Sequence, residues 1–304
     1  MPTMRCHGLL LLLAGCAGTR SATRNDLPAI AGQVAGQVES LMREHGIPGA
    51  AIAVLDVGVH GEREWQEGFG LLRPGANAAM PADAVHRVAS VSKLFTATAA
   101  MVLVERGQLD LDAPVAKYLP DFAPANPFGT PVTVRHLLGH RGGIVREPPV
   151  GHYFAPEEPA LAATVASLND TALVHEPGTA FKYSNPGVGV VGEVVARITG
   201  QPFEQAVREL VLDPLRLADS DFAPRPDLLR RQAQGVMWTY DGRAIPTPEF
   251  AFGYGPAANL RSTVGDLVDF ARSWFPAATT RVLQPATLQA MWALPDGATR
   301  GCGL

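Results

Sequence analysis

The stretch HRVASVSKLFTATAAMVLVERG, residues 86–107, reads as a helix from about Val91 to Arg106 that Gly107 stops, apolar except for one lysine in its first turn. A chain of 304 residues that is 47% hydrophobic can bury at least one sizeable core, so the lysine is the feature that needs a reason. Residues three apart lie one turn apart on one helical face, which brings Ser90 and Lys93 into contact. A serine hydroxyl is a poor nucleophile until a base takes its proton, and a lysine can be that base only where its surroundings disfavour the ammonium form. Leu94, Phe95 and the alanines around them supply apolar surroundings. Ser90 also stands at the helix N-terminus, where free backbone N–H groups and the helix dipole favour developing negative charge, so its own amide can donate to an oxyanion. The chain carries 22 arginines and three lysines, Lys93, Lys117 and Lys182. Arginine cannot give up its proton in a protein, so a lysine retained at a site of proton transfer has a reason that a surface cation lacks.

Around this helix the pattern is mixed. LPAIAGQVAGQVESLMREHG (27–46) places Ile30, Val34, Val38, Leu41 and Met42 on one helical face, with Pro28 in the first turn and Gly46 at the stop. AAIAVLDVG (50–58) and EREWQEGFG (62–70) read as a hairpin around His60-Gly61. From residue 90 onward the pattern is mostly helical, interrupted by Pro-rich loops at 120–131 and 146–159. The second of these, with Tyr153 and Phe154, is placed to cover part of a cleft. No internal repeat and no linker between two cores is evident, which makes residues 28–304 one structural unit.

A second chemical element is Lys182-Tyr183-Ser184-Asn185-Pro186-Gly187, a turn-rich loop before the helix-like GVGVVGEVVARITG. Tyr183 and Asn185, two apart in a loop, can point into one cleft. Near Lys93, Tyr183 would have its phenolate favoured, giving a general base for acylation and an acid for the leaving group. Asn185 offers both donor and acceptor for a substrate amide.

Ser90-x-x-Lys93 followed by Tyr183-x-Asn185 resembles the serine beta-lactamase and penicillin-binding protein superfamily, in the class C-like branch that carries Tyr-x-Asn. GHRGGI, VHEPGTAFKYSNPG, LVLDPLRLADSDF and GPAANLRSTVGDLVDFARSW are similar to the same branch, in the same order. The resemblance implies that Ser90 is the acylated nucleophile, that Lys93 and Tyr183 share the proton, and that Asn185 holds the acyl-side amide of the substrate. It implies an α+β fold, an antiparallel sheet flanked by helices with an all-helical region beside it. One departure stands out. The third motif of such proteins, Lys/His-x-Gly on an inner strand, helps bind a substrate carboxylate, and nothing after residue 285 matches it. The resulting expectation is a domain incomplete at its C-terminus, with the last sheet strands and the third motif lying beyond Leu304, and a 304-residue product of low stability and activity.

Other constellations are weaker. His136 and His140 have metal-ligand spacing, but Leu137 stands where a zinc protease would carry its glutamate, and no third ligand is evident. His140 is expected to pack or hydrogen-bond at the Gly142-Gly143 turn. No G-x-S-x-G elbow occurs. A net charge of −4 without basic clusters leaves no footprint for nucleic acid. At the N-terminus, Arg5 and the apolar run Leu9–Ala14 read as an export signal. Leu13-Ala14-Gly15-Cys16 resembles a lipobox, which makes residues 1–15 a signal peptide, Cys16 the lipidated first residue and 16–27 a linker. Cys6 would then be discarded and Cys302 left alone, so no disulfide framework follows. The expectation is a lipid-anchored serine acyl-hydrolase of the cell envelope, acting without metal or organic cofactor on a beta-lactam, a D-alanyl peptide or an ester. The alternative is a non-catalytic relative that binds envelope peptides.

Overall fold

A computed structural model describes residues 27–58, 61–155, 158–250, 252–275 and 278–293. The expected signal peptide and lipidation site Cys16, the expected turn residue His60 and the expected C-terminal boundary all fall outside these residues. In chain order the elements are α1 (Leu27–His45), β1 (Gly49–Gly58), β2 (Gly61–Gly70), α2 (Ser92–Glu105), α3 (Val134–Leu138), α4 (Leu161–Ala166) and α5 (Asn185–Thr199). They continue with α6 (Phe203–Val207), α7 (Pro226–Arg231), β3 (Val236–Trp238), β4 (Ala244–Pro246), α8 (Gly255–Ala258), α9 (Val264–Arg272) and α10 (Pro285–Trp292). The fold is mixed α+β with small antiparallel sheets. Its described residues form two compact units, one of residues 27–86, 226–248 and 263–268, the other of 87–225, 249–262 and 269–293.

The first unit is built on the hairpin. β1 and β2 pair antiparallel from Gly49 opposite Gly70 to Gly58 opposite Gly61, the two runs expected from sequence. α1 packs on them. Its inward stripe runs through Leu27 and Ala31, both buried, and the partly covered Val34, Val38 and Met42. Ile30 and Leu41, expected on the covered face, are 43% and 48% exposed. At 100° per residue both lie on the flank of the stripe that Leu27 and Ala31 centre. Gly68 is required by close approach, since a Cβ there would stand 2.1 Å from the Met80 carbonyl oxygen. A second hairpin, β3 with β4, was not anticipated. Its strands pair from Val236 opposite Pro246 to Trp238 opposite Ala244, and Gly242, with φ of 80°, makes the turn.

The second unit is helical and holds Ser90, Lys93, Tyr183 and Asn185. α2 is buried along nearly its whole length, from Ser92 to Leu103, and packs against α5, α6 and α8. α5 is capped at both ends: the Ser184 hydroxyl accepts from the Gly187 amide at 2.9 Å, and Gly200 closes the helix with φ of 70°. In the middle of α5, Gly192 lets the Pro256 ring of α8 come so near that a Cβ would stand 2.2 Å from Pro256 Cγ. α8 is a single turn and is tied to α2 from the other side, where Thr96 Oγ1 donates to the Pro256 carbonyl at 2.6 Å. This wedge fixes the backbone of residues 256–257 relative to the start of α2.

Candidate active site

Ser90 does not belong to the α-helix itself. It lies in one 3-10 turn, Ala89–Val91, which feeds directly into α2 at Ser92. Ala89 has φ of 46°, a left-handed conformation that costs an L-residue about 1–2 kcal/mol. Such strain is maintained only where surrounding contacts over-determine it. Here they do: the Ser92 hydroxyl donates to the Ala89 carbonyl at 2.6 Å and accepts from the Leu260 amide at 3.0 Å. The result is an exposed Ser90 on a buried helix start.

Lys93, one turn on, is 6% exposed. Its Nζ donates to Ser90 Oγ at 3.1 Å and to the Ala257 carbonyl at 2.8 Å. Burial is the main force on this amine and lowers its pKa from 10.5 to about 7, with the Glu147 carboxylate opposing the drop and the Arg146 guanidinium adding to it. An amine so placed loses its proton near neutrality, whereas a solvated lysine does not.

Tyr183 arrives from a position 93 residues further along the chain, and its hydroxyl lies 2.8 Å from Ser90 Oγ. Ser90 Oγ is therefore within hydrogen-bond distance of two proton carriers at once. Lys93 Nζ lies 4.9 Å and the Arg146 guanidinium carbon 5.4 Å from the centre of the Tyr183 ring. The His140 ring packs on the Tyr183 ring at 4.5 Å, its Nδ1 accepts from the Ser184 amide at 3.2 Å, and its carbonyl accepts from the Lys182 amide at 2.8 Å. His140, with φ of 54°, is thus the support of the Tyr183 loop. His136 serves elsewhere, accepting from the Thr133 amide at the N-terminus of α3. Among the described residues no group of His, Cys, Asp and Glu is placed to hold a metal ion.

Asn185 joins the cluster through a residue that sequence reasoning missed. Its Nδ2 donates to Glu147 Oε1 at 2.7 Å, so one of the donors expected to serve substrate is already engaged. The Asn185 backbone amide donates to the Arg146 carbonyl at 3.1 Å. The other Glu147 oxygen is buried without a hydrogen bond of normal geometry, and the carboxylate faces the Tyr254 phenol, whose pKa is pushed up by burial first and by Glu147 second. The Pro-rich loop 146–159 is therefore part of the cluster at its start. Further on, Tyr153 packs on Phe250 at 4.7 Å and on Phe252 at 5.4 Å. Phe154, 83% exposed, extends the same aromatic surface outward. Only the charge of Glu147 beside an expected cleft loop could have singled it out in the sequence.

Against known proteins, the sequence pattern of the Beta-lactamase family matches residues 34–301. The chain belongs to the beta-lactamase family. Within the wider superfamily of serine beta-lactamases and penicillin-binding proteins, it is 32% identical over 262 residues to penicillin-binding protein 4 of Amycolatopsis lactamdurans, covering 83% of this chain and 67% of that one. It is 32% identical over 260 residues to esterase EstB of Burkholderia gladioli, covering 77% of this chain and 63% of the esterase. Among solved structures, EstCE1, a hydrolase with promiscuous acyltransferase activity, superposes with a TM-score of 0.77 at 23% identity, covering 91% of this chain and 82% of that one. This beta-lactamase-family chain thus spans about two thirds of the length of the two relatives compared by sequence.

Proposed function

We propose that this chain is a serine acyl-hydrolase that works through an acyl-Ser90 intermediate. The observation that carries the reading is the placement of Ser90 Oγ within hydrogen-bond reach of both the Lys93 amine and the Tyr183 hydroxyl. In acylation, neutral Lys93 takes the Ser90 proton as Oγ bonds to the substrate carbonyl carbon, and the Ser90 amide at the head of α2 donates to the developing oxyanion. The tetrahedral adduct then expels its leaving group, which takes the Tyr183 proton, and the phenolate left behind is stabilised by the Lys93 ammonium. In deacylation, Tyr183 takes a proton from the attacking water, the acyl group leaves as the acid, and Lys93 returns its proton to Ser90. Both carriers end as they began. Asn185 borders the acyl side of the site.

The substrate is a beta-lactam, a D-alanyl peptide or an ester, since each presents a carbonyl that this machinery can acylate. Similarity to a penicillin-binding protein and to an esterase at equal identity supports the first and the last of these. The Leu13-Ala14-Gly15-Cys16 stretch supports export and lipid attachment at Cys16, which would place the enzyme at the cell envelope.

Because Lys93 is the base only when neutral, the ammonium form is inactive. The value of kcat/KM for a chromogenic ester or cephalosporin is expected to fall tenfold per pH unit below about 7, with the half-maximum near pH 7. A pH profile on both substrates checks this. A profile flat down to pH 5 would remove Lys93 from the role of base, and stable labelling with no turnover of either substrate would favour a binding protein instead.

A further inference from the structure

Glu147 is not needed for the proton transfers above, yet it is held at the cluster by a specific bond. A carboxylate accepts and, when ionised, never donates. Its 2.7 Å contact with Asn185 therefore decides which end of that amide faces which way, with Nδ2 toward Glu147. Asn185 Oδ1 makes no hydrogen bond among the described residues and, unlike Glu147 Oε2, is not shut away as a buried orphan. The acyl side of the site thus offers an acceptor with a carboxylate behind it. The charged groups around Glu147 are Lys93, which donates its bonds to Ser90 and Ala257, and Arg146, which is exposed and stands over the Tyr183 ring. Neither forms an ion pair with it within 4.0 Å.

From this we infer that Glu147 is a specificity-determining residue that locks Asn185 as an acceptor, so that the site selects acyl donors carrying an ammonium or other N–H donor close to the reacting carbonyl. The inference rests on the acyl-Ser90 reading and names its substrate class. Acyl groups that present only a methyl or a carbonyl oxygen at the same place leave Asn185 Oδ1 unpaired on binding. The selective margin is that of one charge-assisted hydrogen bond, about ten- to a hundredfold.

The test compares 4-nitrophenyl β-alaninate with the nearly isosteric 4-nitrophenyl butanoate, which replaces the ammonium by a methyl group, each rate divided by its rate of hydroxide-catalysed hydrolysis. The expected result is a preference of kcat/KM for the β-alaninate of about ten- to a hundredfold. In Glu147→Gln the preference is expected to fall to within about threefold, because a glutamine can donate as well as accept and leaves Asn185 free to turn. Each protein is compared at its own pH optimum, and Glu147→Ala serves in the same way if the glutamine variant does not fold. Equal rates for the two esters in the parent chain, or an unchanged preference in both variants, would overturn the inference while butanoate turnover and fluorophosphonate labelling of Ser90 still upheld the hydrolase. Loss of all turnover and labelling in the parent chain would overturn both.

Discussion

Replacing Lys93 by arginine is expected to lower the rate of Ser90 acylation about a thousandfold, nearly as far as Lys93→Ala, although the arginine keeps a positive charge at the same turn of α2. General-base assistance of this kind accounts for about 10²–10⁴ in rate. A guanidinium stays protonated at any working pH and cannot supply it. The structure makes the comparison sharp because Lys93 Nζ makes two separable bonds, one to Ser90 Oγ and one to the Ala257 carbonyl. A cation needed only to tie α8 to α2 would survive the change to arginine, whereas a base would not. Tyr183→Phe should cost less, about ten- to a hundredfold, since it removes one of the two proton carriers and leaves Lys93 in place. Stopped-flow acylation by a chromogenic ester measures all three. An arginine variant within tenfold of the parent would make Lys93 a structural cation.

The second large effect comes from a residue with no polar atom in its side chain. Gly192→Ala would set a methyl group 2.2 Å from Pro256 Cγ and 2.6 Å from its Cβ, with the Phe203 ring 3.2 Å away. A pyrrolidine ring cannot swing aside, so α8 has to move, and overpacking of this type costs about 1–3 kcal/mol. Movement of Pro256 carries Ala257 with it, so the carbonyl that holds Lys93 Nζ shifts as well. The expected result is a lower urea midpoint together with at least a tenfold loss of turnover in the folded fraction. Gly32→Ala, on the exposed side of α1 where a Cβ meets nothing within 4 Å, is the control. It should leave turnover intact and raise stability by up to about 1 kcal/mol. A Gly192→Ala protein as stable and as active as the parent would show that α8 does not position Lys93.

The parts of this site that could be read from sequence are those set by local geometry. Ser90 and Lys93 are neighbours because they are three residues apart at a helix start, and no tertiary information is needed to see it. The hairpin of β1 and β2 was equally legible from two strand-like runs about a turn. Tyr183 and Asn185 are different. Nothing local brings Tyr183 to a serine 93 positions away; only resemblance to a family made the pairing visible, and His140, expected to pack or hydrogen-bond at the Gly142-Gly143 turn, does both against the Tyr183 loop instead. Glu147 lay in a Pro-rich loop whose cover over a cleft was anticipated, but its bond to Asn185 is made by tertiary folding alone. The strained Ala89 conformation is likewise a property of the assembled turn, since alanine carries no preference for positive φ. The β3–β4 hairpin does carry a local signal, Asp241-Gly242 between two short apolar runs.

Whether acylation falls on Ser90 is measured most directly by peptide mapping by mass spectrometry of the chain after reaction with a fluorophosphonate. The expected result is a single adduct, on Ser90, formed faster as pH rises through about 7 and absent from a folded Ser90→Ala protein. An adduct on Ser92 or Ser184, or undiminished labelling of Ser90→Ala, would contradict it.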